Sequence, residues 1–190
     1  MLAIALGAAL AGAPRVHAQS RVGSDSATRL TRLGRAFVYG TIEGLAFAGL
    51  DQWRNDPPQW GKGLGGYGKR AASNLGEFYI QEGVTEGLAA LMNRPLDYKT
   101  CRCREFGNQL AAALRGAVTD QMPDGSHPIA VPRIVGAYAG SSAQAGWRPA
   151  AGSNRARVAL LNGTESLAIG AAINLYHELR ADVSHDRRSR

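Results

Sequence analysis

Aromatic residues are scarce in this chain, at 7% of 190 residues, and charged residues make up only 19%. The aromatic–basic interleaving of RNA- and DNA-binding surfaces is absent, so nucleic acid is not an expected partner. Cysteine occurs twice, at Cys101 and Cys103. Zinc needs about four ligands, and His127, His177 and His185 supply no matching spacing. There is no Cys-x-x-Cys-His run for haem. No segment alternates apolar and polar residues as a half-buried strand does. Gly140-Ser141-Ser142 lacks the Gly-x-Ser-x-Gly elbow of an α/β-hydrolase. Together these absences leave no metal, no cofactor and no catalytic constellation to predict.

Small residues are plentiful instead, with 24 glycines and abundant alanine, and the hydrophobic share of 45% can support a core. The length suits one domain. The formal net charge is +7. The charges are dispersed except at Arg187, Arg188 and Arg190, which reads as a solvated surface first and a surface for lipid headgroups second.

The N-terminus reads as a targeting segment. An apolar run from Leu2 to Ala13 is followed by Pro14 and then Val16-His17-Ala18. The run is the length of a signal-peptide core and well short of the ~20 residues that span a bilayer. Small or aliphatic residues at Val16 and Ala18 suit signal-peptidase cleavage before Gln19, although no basic residue precedes the run. Residues 1–18 are therefore expected to be a cleaved signal peptide. Their loss removes one charge, Arg15, and gives +7 − 1 = +6. Residues 19–28 are small and polar, and are expected to be a flexible lead-in.

Residues 29–183 are expected to form an all-α bundle of about five helices, with 184–190 as a charged tail. The apolar spacing predicts helices over Thr28 to about Trp53, Lys69 to about Asn93, Glu105 to about Thr119, Pro132 to about Trp147 and Arg155 to about Val183. Residues 54–68 are dense in Pro and Gly and predict a loop. Arg94-Pro95 predicts the stop of the second helix.

Small residues recur every four positions on these helices. Ala36, Gly40, Gly44 and Ala48 form one set. Ala72 with Gly76, Gly83 with Gly87, Gly136 with Gly140, and Ser166 with Gly170 form others. Glycine inside a helix costs ~1 kcal/mol relative to alanine, so these faces predict close helix–helix contact. Glu43, Glu86 and Glu165 stand among apolar residues in similar short strings, beginning at Thr41, Thr85 and Gly163. Buried carboxylates need partners. Glu43, Glu86 and Glu165 with Arg115 and Arg133 are the candidates for a polar core, expected to pair structurally before they bind a ligand or handle protons.

Three local features carry chemistry. Gly63-Leu64-Gly65-Gly66-Tyr67-Gly68-Lys69-Arg70 approaches a phosphate-binding loop, but Arg70 stands where the magnesium-binding hydroxyl belongs and no strand precedes it. What remains is an anion site at a helix start using Lys69 and Arg70, against the simpler expectation of a tight loop packed by Trp53, Trp60 and Tyr67. Cys101 and Cys103 read as a reactive redox disulfide, a static local staple or two thiols, with the static readings preferred. His127, near Asp124, reads as a base without a nucleophile, or as an ordinary turn residue.

Asp51-Gln52-x-x-Asn55-Asp56-Pro57-Pro58-Gln59-Trp60-Gly61, followed by Gly66-Tyr67-Gly68-Lys69-Arg70-Ala71-Ala72-Ser73, resembles an uncharacterised family of exported bacterial proteins. Its signature is D-x-P-x-W-G…G-Y-G-[KR]-R. Pro95-Leu96-Asp97-Tyr98 takes the place of that family's connector without its usual arginine. The likeness covers roughly residues 45–180 and implies export and an all-helical fold, with no activity to carry over. The expected function is that of a non-enzymatic envelope protein, in the periplasm or at a membrane surface or envelope complex. The alternative is an envelope enzyme, a thiol redox protein or hydrolase, using Cys101/Cys103 or His127.

Overall fold

The first, second and fourth helices end where asparagine or proline interrupts the apolar pattern. The computed structural model describes residues 15–149 and 154–186. Within them lie five α-helices: α1 (Arg15–Arg54), α2 (Leu64–Leu91), α3 (Phe106–Val118), α4 (Val131–Trp147) and α5 (Arg155–Asp186). A 3₁₀ turn spans Pro58–Trp60. Strand structure among the described residues is one isolated bridge between Thr119 and Ile129. The all-α expectation therefore holds.

The boundaries differ in informative ways. α1 starts at Arg15, so residues 19–28, expected as a flexible lead-in, are helical. That stretch holds one glycine and no proline, and nothing in it breaks a helix. Val16-His17-Ala18 lies in the first turn of α1, while residues 1–14 of the expected signal peptide lie outside the described residues. α5 runs to Asp186, and the rest of the expected tail lies outside them too. α2 begins at Leu64, five residues earlier than expected, and takes in three glycines of the predicted loop. It ends at Leu91 before reaching Arg94-Pro95. Asn93 adopts a positive φ of 51°, and the Arg94 N–H donates to the Ala89 carbonyl at 2.9 Å. α1 closes in the same way: Asn55 has φ 56° and the Asp56 N–H donates to the Asp51 carbonyl at 2.9 Å. Both are Schellman-type caps with asparagine in the left-handed position. Pro132 sits in the first turn of α4, where its missing N–H costs nothing.

The chain divides into a first unit ending at Gly40 and a second from Thr41. In the first unit, Phe37, Val38 and Tyr39 on α1 are exposed. In the second, α2 packs on α4, α4 on α5 and α5 on α3. α2 and α5 both lie on α4 and not on one another.

The interior of the second unit is made of small and polar side chains. The buried hydrophobic residues are ten alanines, among them Ala48, Ala89, Ala113, Ala137 and Ala171. Beside them are buried Arg70, Ser73, Thr85, Gln109, Asp120, Ser141, Gln144, Asn174 and Glu178. Among the described residues no Leu, Ile, Val, Met, Phe, Tyr or Trp is fully buried. Large apolar side chains lie outside: Leu64, Leu91, Phe106, Leu114, Ile129, Leu160, Leu161 and Tyr176 are each more than half exposed.

Glycine makes the α2–α4 contact. A Cβ at Gly136 would strike the Thr85 hydroxyl and the Gln81 carbonyl, and one at Gly140 would lie 2.7 Å from the Glu77 carbonyl oxygen. Gly44 meets Leu75, and Gly163 meets the Tyr138 ring. Other expected contact glycines are not used this way. Gly83, Gly87 and Gly170 have nothing within 4 Å of an added Cβ, and Gly83 and Gly87 are exposed. The face that α2 turns to α4 carries Ser73, Glu77, Gln81, Thr85 and Ala89, four residues apart, and Gly83 and Gly87 fall off that stripe.

Candidate functional site

The Gly-rich segment is built around one cation. Arg70 is 0% exposed, and all five of its guanidinium N–H groups are used within the protein. Nε donates to the Asp56 carbonyl at 2.9 Å. Nη1 donates to Gln52 Oε1 at 2.6 Å and to the Gly61 carbonyl at 2.7 Å. Nη2 donates to the Pro57 carbonyl at 2.9 Å and to Asn55 Oδ1 at 3.4 Å. The Gln52 amide adds a hydrogen bond to the Lys62 carbonyl. Gly61 has φ 71°, and a Cβ at Gly66 would collide with the Gly61 and Trp60 carbonyls. The expected anion site at Lys69 and Arg70 is therefore corrected: Arg70 has no donor left, and Lys69 is exposed at the surface. The expected aromatic packing is also corrected, because Trp53 is 79% exposed. Trp60 and Tyr67 are half-buried, and the Tyr67 hydroxyl donates to the Leu45 carbonyl at 3.3 Å.

The helices surround a cavity of about 610 Å³. Its lining comes chiefly from α1, α2, α4 and α5, with Leu96, Tyr98 and Ala117 from the connector and α3. Three of the five polar-core candidates line it: Glu43 from α1, Arg133 from α4 and Glu165 from α5. Glu86 and Arg115 do not. Glu86 is half-buried elsewhere on α2, one position off the α4-facing stripe, and Arg115 is exposed on α3.

Glu77 and Asp51 also line the cavity; neither was a polar-core candidate, although Asp51 opens the family-like signature. Glu77 stands on the four-residue stripe that α2 turns to α4. Burial pushes the Glu77 carboxyl up to about 7; Arg148 opposes the rise, while Glu165 and Asp51 add to it. Burial likewise raises Glu43. The basic groups at the cavity are largely engaged. Arg148 Nη2 lies 2.9 Å from Asp56 Oδ2 and 3.3 Å from Asp51 Oδ2. Arg133 pairs with buried Asp120 at 3.3 Å and donates to the Gly116 carbonyl.

An amide chain forms the cavity floor. Gln144 on α4, 1% exposed, donates to Asn74 Oδ1 on α2 at 3.2 Å and accepts from Asn162 Nδ2 on α5 at 3.1 Å. Trp147 Nε1 donates to the Ser73 hydroxyl at 3.0 Å, a second polar tie between α4 and α2.

The connector before α3 carries the cysteines. Cys101 and Cys103 are joined by a disulfide. Glu178 of α5, 2% exposed, accepts from the Tyr98 hydroxyl at 2.5 Å and from the Cys101 N–H at 2.8 Å. Burial and the Glu178 carboxylate raise the Tyr98 pKa, burial contributing most. This arrangement fastens the connector to α5. His127 is exposed in its turn, and the Asp124 carboxylate accepts from the Ser126 N–H at 2.9 Å and from its hydroxyl at 2.6 Å. Those bonds hold the Asp124 pKa below its ordinary value. Neither His127 nor Glu86 reaches the cavity.

No family model matches the chain, and neither a curated protein nor a solved structure shows significant similarity to it.

Proposed function

We propose that this chain is an exported, non-enzymatic protein of a bacterial cell envelope, held against a membrane surface by its apolar outer faces. The observation that carries this reading is the distribution of side chains. The fully buried residues are alanine, glycine, proline and hydrogen-bonded polar groups, while many leucine, isoleucine, valine and aromatic side chains are exposed and the rest only half-buried. Water-soluble monomers rarely leave large contiguous apolar patches uncovered. Small residues at close helix contacts, with apolar side chains outside, are the arrangement used where lipid is the surrounding medium.

α5 sharpens the reading. Its stretch Arg155–Ala181 is long and apolar enough to cross a bilayer, and little of it is buried in the fold. Yet Glu165 is exposed on it. A carboxylate at the centre of a membrane helix costs roughly 2.5–3.5 kcal/mol, which favours a helix lying in the interface over one that spans. The net charge of the mature chain, +7 − 1 = +6, adds attraction to anionic headgroups, worth about 1 kcal/mol for each well-placed Lys or Arg. The Arg70-clamped loop and the polar ties between helices serve a stable scaffold.

Fractionation of the native host tests the reading. Release from membranes by high salt or carbonate is the expected result. Full recovery in the soluble fraction before any wash would refute it, and resistance to both washes would replace surface binding with insertion.

A further inference from the structure

We propose that the cavity between α1, α2, α4 and α5 is a binding site for an organic monocation with a bulky apolar body. This goes beyond the membrane-surface reading and does not depend on it.

The cavity, at about 610 Å³, falls within the range of roughly 300–1,000 Å³ found for small-molecule sites. α2 and α5 each pack on α4, and among the described residues they do not pack on one another.

The charge inside selects the ligand. Glu43, Glu77 and Glu165 reach the cavity from three different helices. Arg148 pairs with both Asp51 and Asp56 and so offsets only one of their two charges, while Arg133 pairs with Asp120. Arg54 and Arg155, the other basic lining residues, are exposed at its rim, as is Glu165. The lining thus sets six carboxylates, Glu43, Asp51, Asp56, Glu77, Glu82 and Glu165, against four arginines, and acidic charge is in excess. Glu77, held up at about 7 by burial and by its acidic neighbours, gains most from an arriving cation.

A bare divalent metal does not fit. Among the described residues no three acidic, His or Cys side chains stand close enough to share a metal ion. Carboxylates spread around a large cavity suit a diffuse positive charge. Phe47 and Phe78 line the same cavity, and aromatic rings attract a weakly hydrated cation.

The experiment uses the purified full chain and two probes of the same shape and opposite charge, tetraphenylphosphonium and tetraphenylborate, in calorimetric titrations. The protein's net charge favours the borate, and exposed apolar faces do not distinguish the two by shape. Saturable one-to-one binding of the phosphonium, at least about tenfold tighter than the borate, is expected. Glu77→Gln should weaken the phosphonium about tenfold and leave the borate unchanged. Glu165→Gln, on a different helix, should act in the same direction and serves if Glu77→Gln does not fold. Equal binding of the two ions, tighter binding of the borate, no binding of either, or an unchanged phosphonium affinity in a folded variant would each overturn the proposal.

Discussion

Arg70 and Gly66, one turn apart on α2, hold the same stretch of backbone: the Arg70 guanidinium binds the Gly61 carbonyl at 2.7 Å, and the missing side chain of Gly66 makes room for that carbonyl. Three carbonyls and two side-chain oxygens depend on this one guanidinium. Lysine offers three donors from a point charge and cannot reproduce the fork. Arg70→Lys should therefore destabilise the fold by on the order of 3 kcal/mol, since buried acceptors are left unmade. Gly66→Ala should also destabilise, through collision with backbone that cannot swing aside. A melting temperature unchanged in Arg70→Lys would show that the loop does not need the clamp.

Two glycines on helix interiors should respond in opposite directions. Gly136 sits against the Thr85 hydroxyl and the Gln81 carbonyl, so Gly136→Leu should cost ~1–3 kcal/mol or more by overpacking. Gly83 faces open space on the outside of α2, so Gly83→Ala should stabilise by ~0.5–1 kcal/mol, the helix-propensity difference. Thermal unfolding of the two variants checks both signs. A loss on Gly83→Ala would mean that this face is covered by something other than solvent.

These contrasts also mark what the sequence could and could not reveal. Periodicity placed all five helices, because proline and asparagine stops stand between them. The four-residue spacing of Gly136 and Gly140 pointed correctly to a close contact. The same spacing at Gly83 and Gly87 did not, because period alone cannot tell which stripe of α2 meets α4. Arg70 looked like a free cation at a helix start, since a clamp on carbonyls twelve or so residues upstream leaves no pattern in composition. Glu43 and Glu165 were recognisable as carboxylates among apolar residues and do line the cavity. Glu77 lies on the same stripe as Thr85, and nothing in the local sequence marks that stripe as the one that meets α4.

Glu77 should make stability depend on pH. Its pKa in the folded chain is about 7, above the ordinary 4.5, so the fold favours the neutral acid. The stability this gives is fully present below about pH 4.5 and is lost as pH rises through about 7. The upper limit is about 3 kcal/mol, from the size of the displacement. Arg148 beside it, with Asp51 and Glu165, sets where the loss falls. Glu77→Gln should remove most of this loss and melt higher than the natural protein at pH 8. Parallel melting curves for the two proteins from pH 4 to 8 would refute the assignment.

Export has its own measurement. Val16-His17-Ala18 before Gln19 motivates cleavage after Ala18. Intact-mass analysis of protein from the native host should find Gln19 as the first residue. A retained Met1 would remove the export reading and the envelope role with it.

Membrane binding should rest on outward apolar side chains as well as on charge. Leu160 and Leu161 are 60% and 58% exposed on α5, next to buried Ala159 and Gly163, which make the inward contact. Replacing both leucines by serine removes apolar surface without touching the α4–α5 interface, so the fold should keep its melting temperature to within a few degrees. Burying one such side chain in an apolar medium is worth about 1.5–3 kcal/mol. Partition into vesicles of anionic phospholipid should therefore fall by at least about tenfold in the double variant. High salt should weaken both proteins further, since it screens the basic charges without altering the apolar contribution. If the double variant floats with vesicles as the natural protein does, the outer face of α5 is not the surface that meets lipid. If the natural protein floats equally well with neutral and anionic vesicles, charge has no part in holding it there.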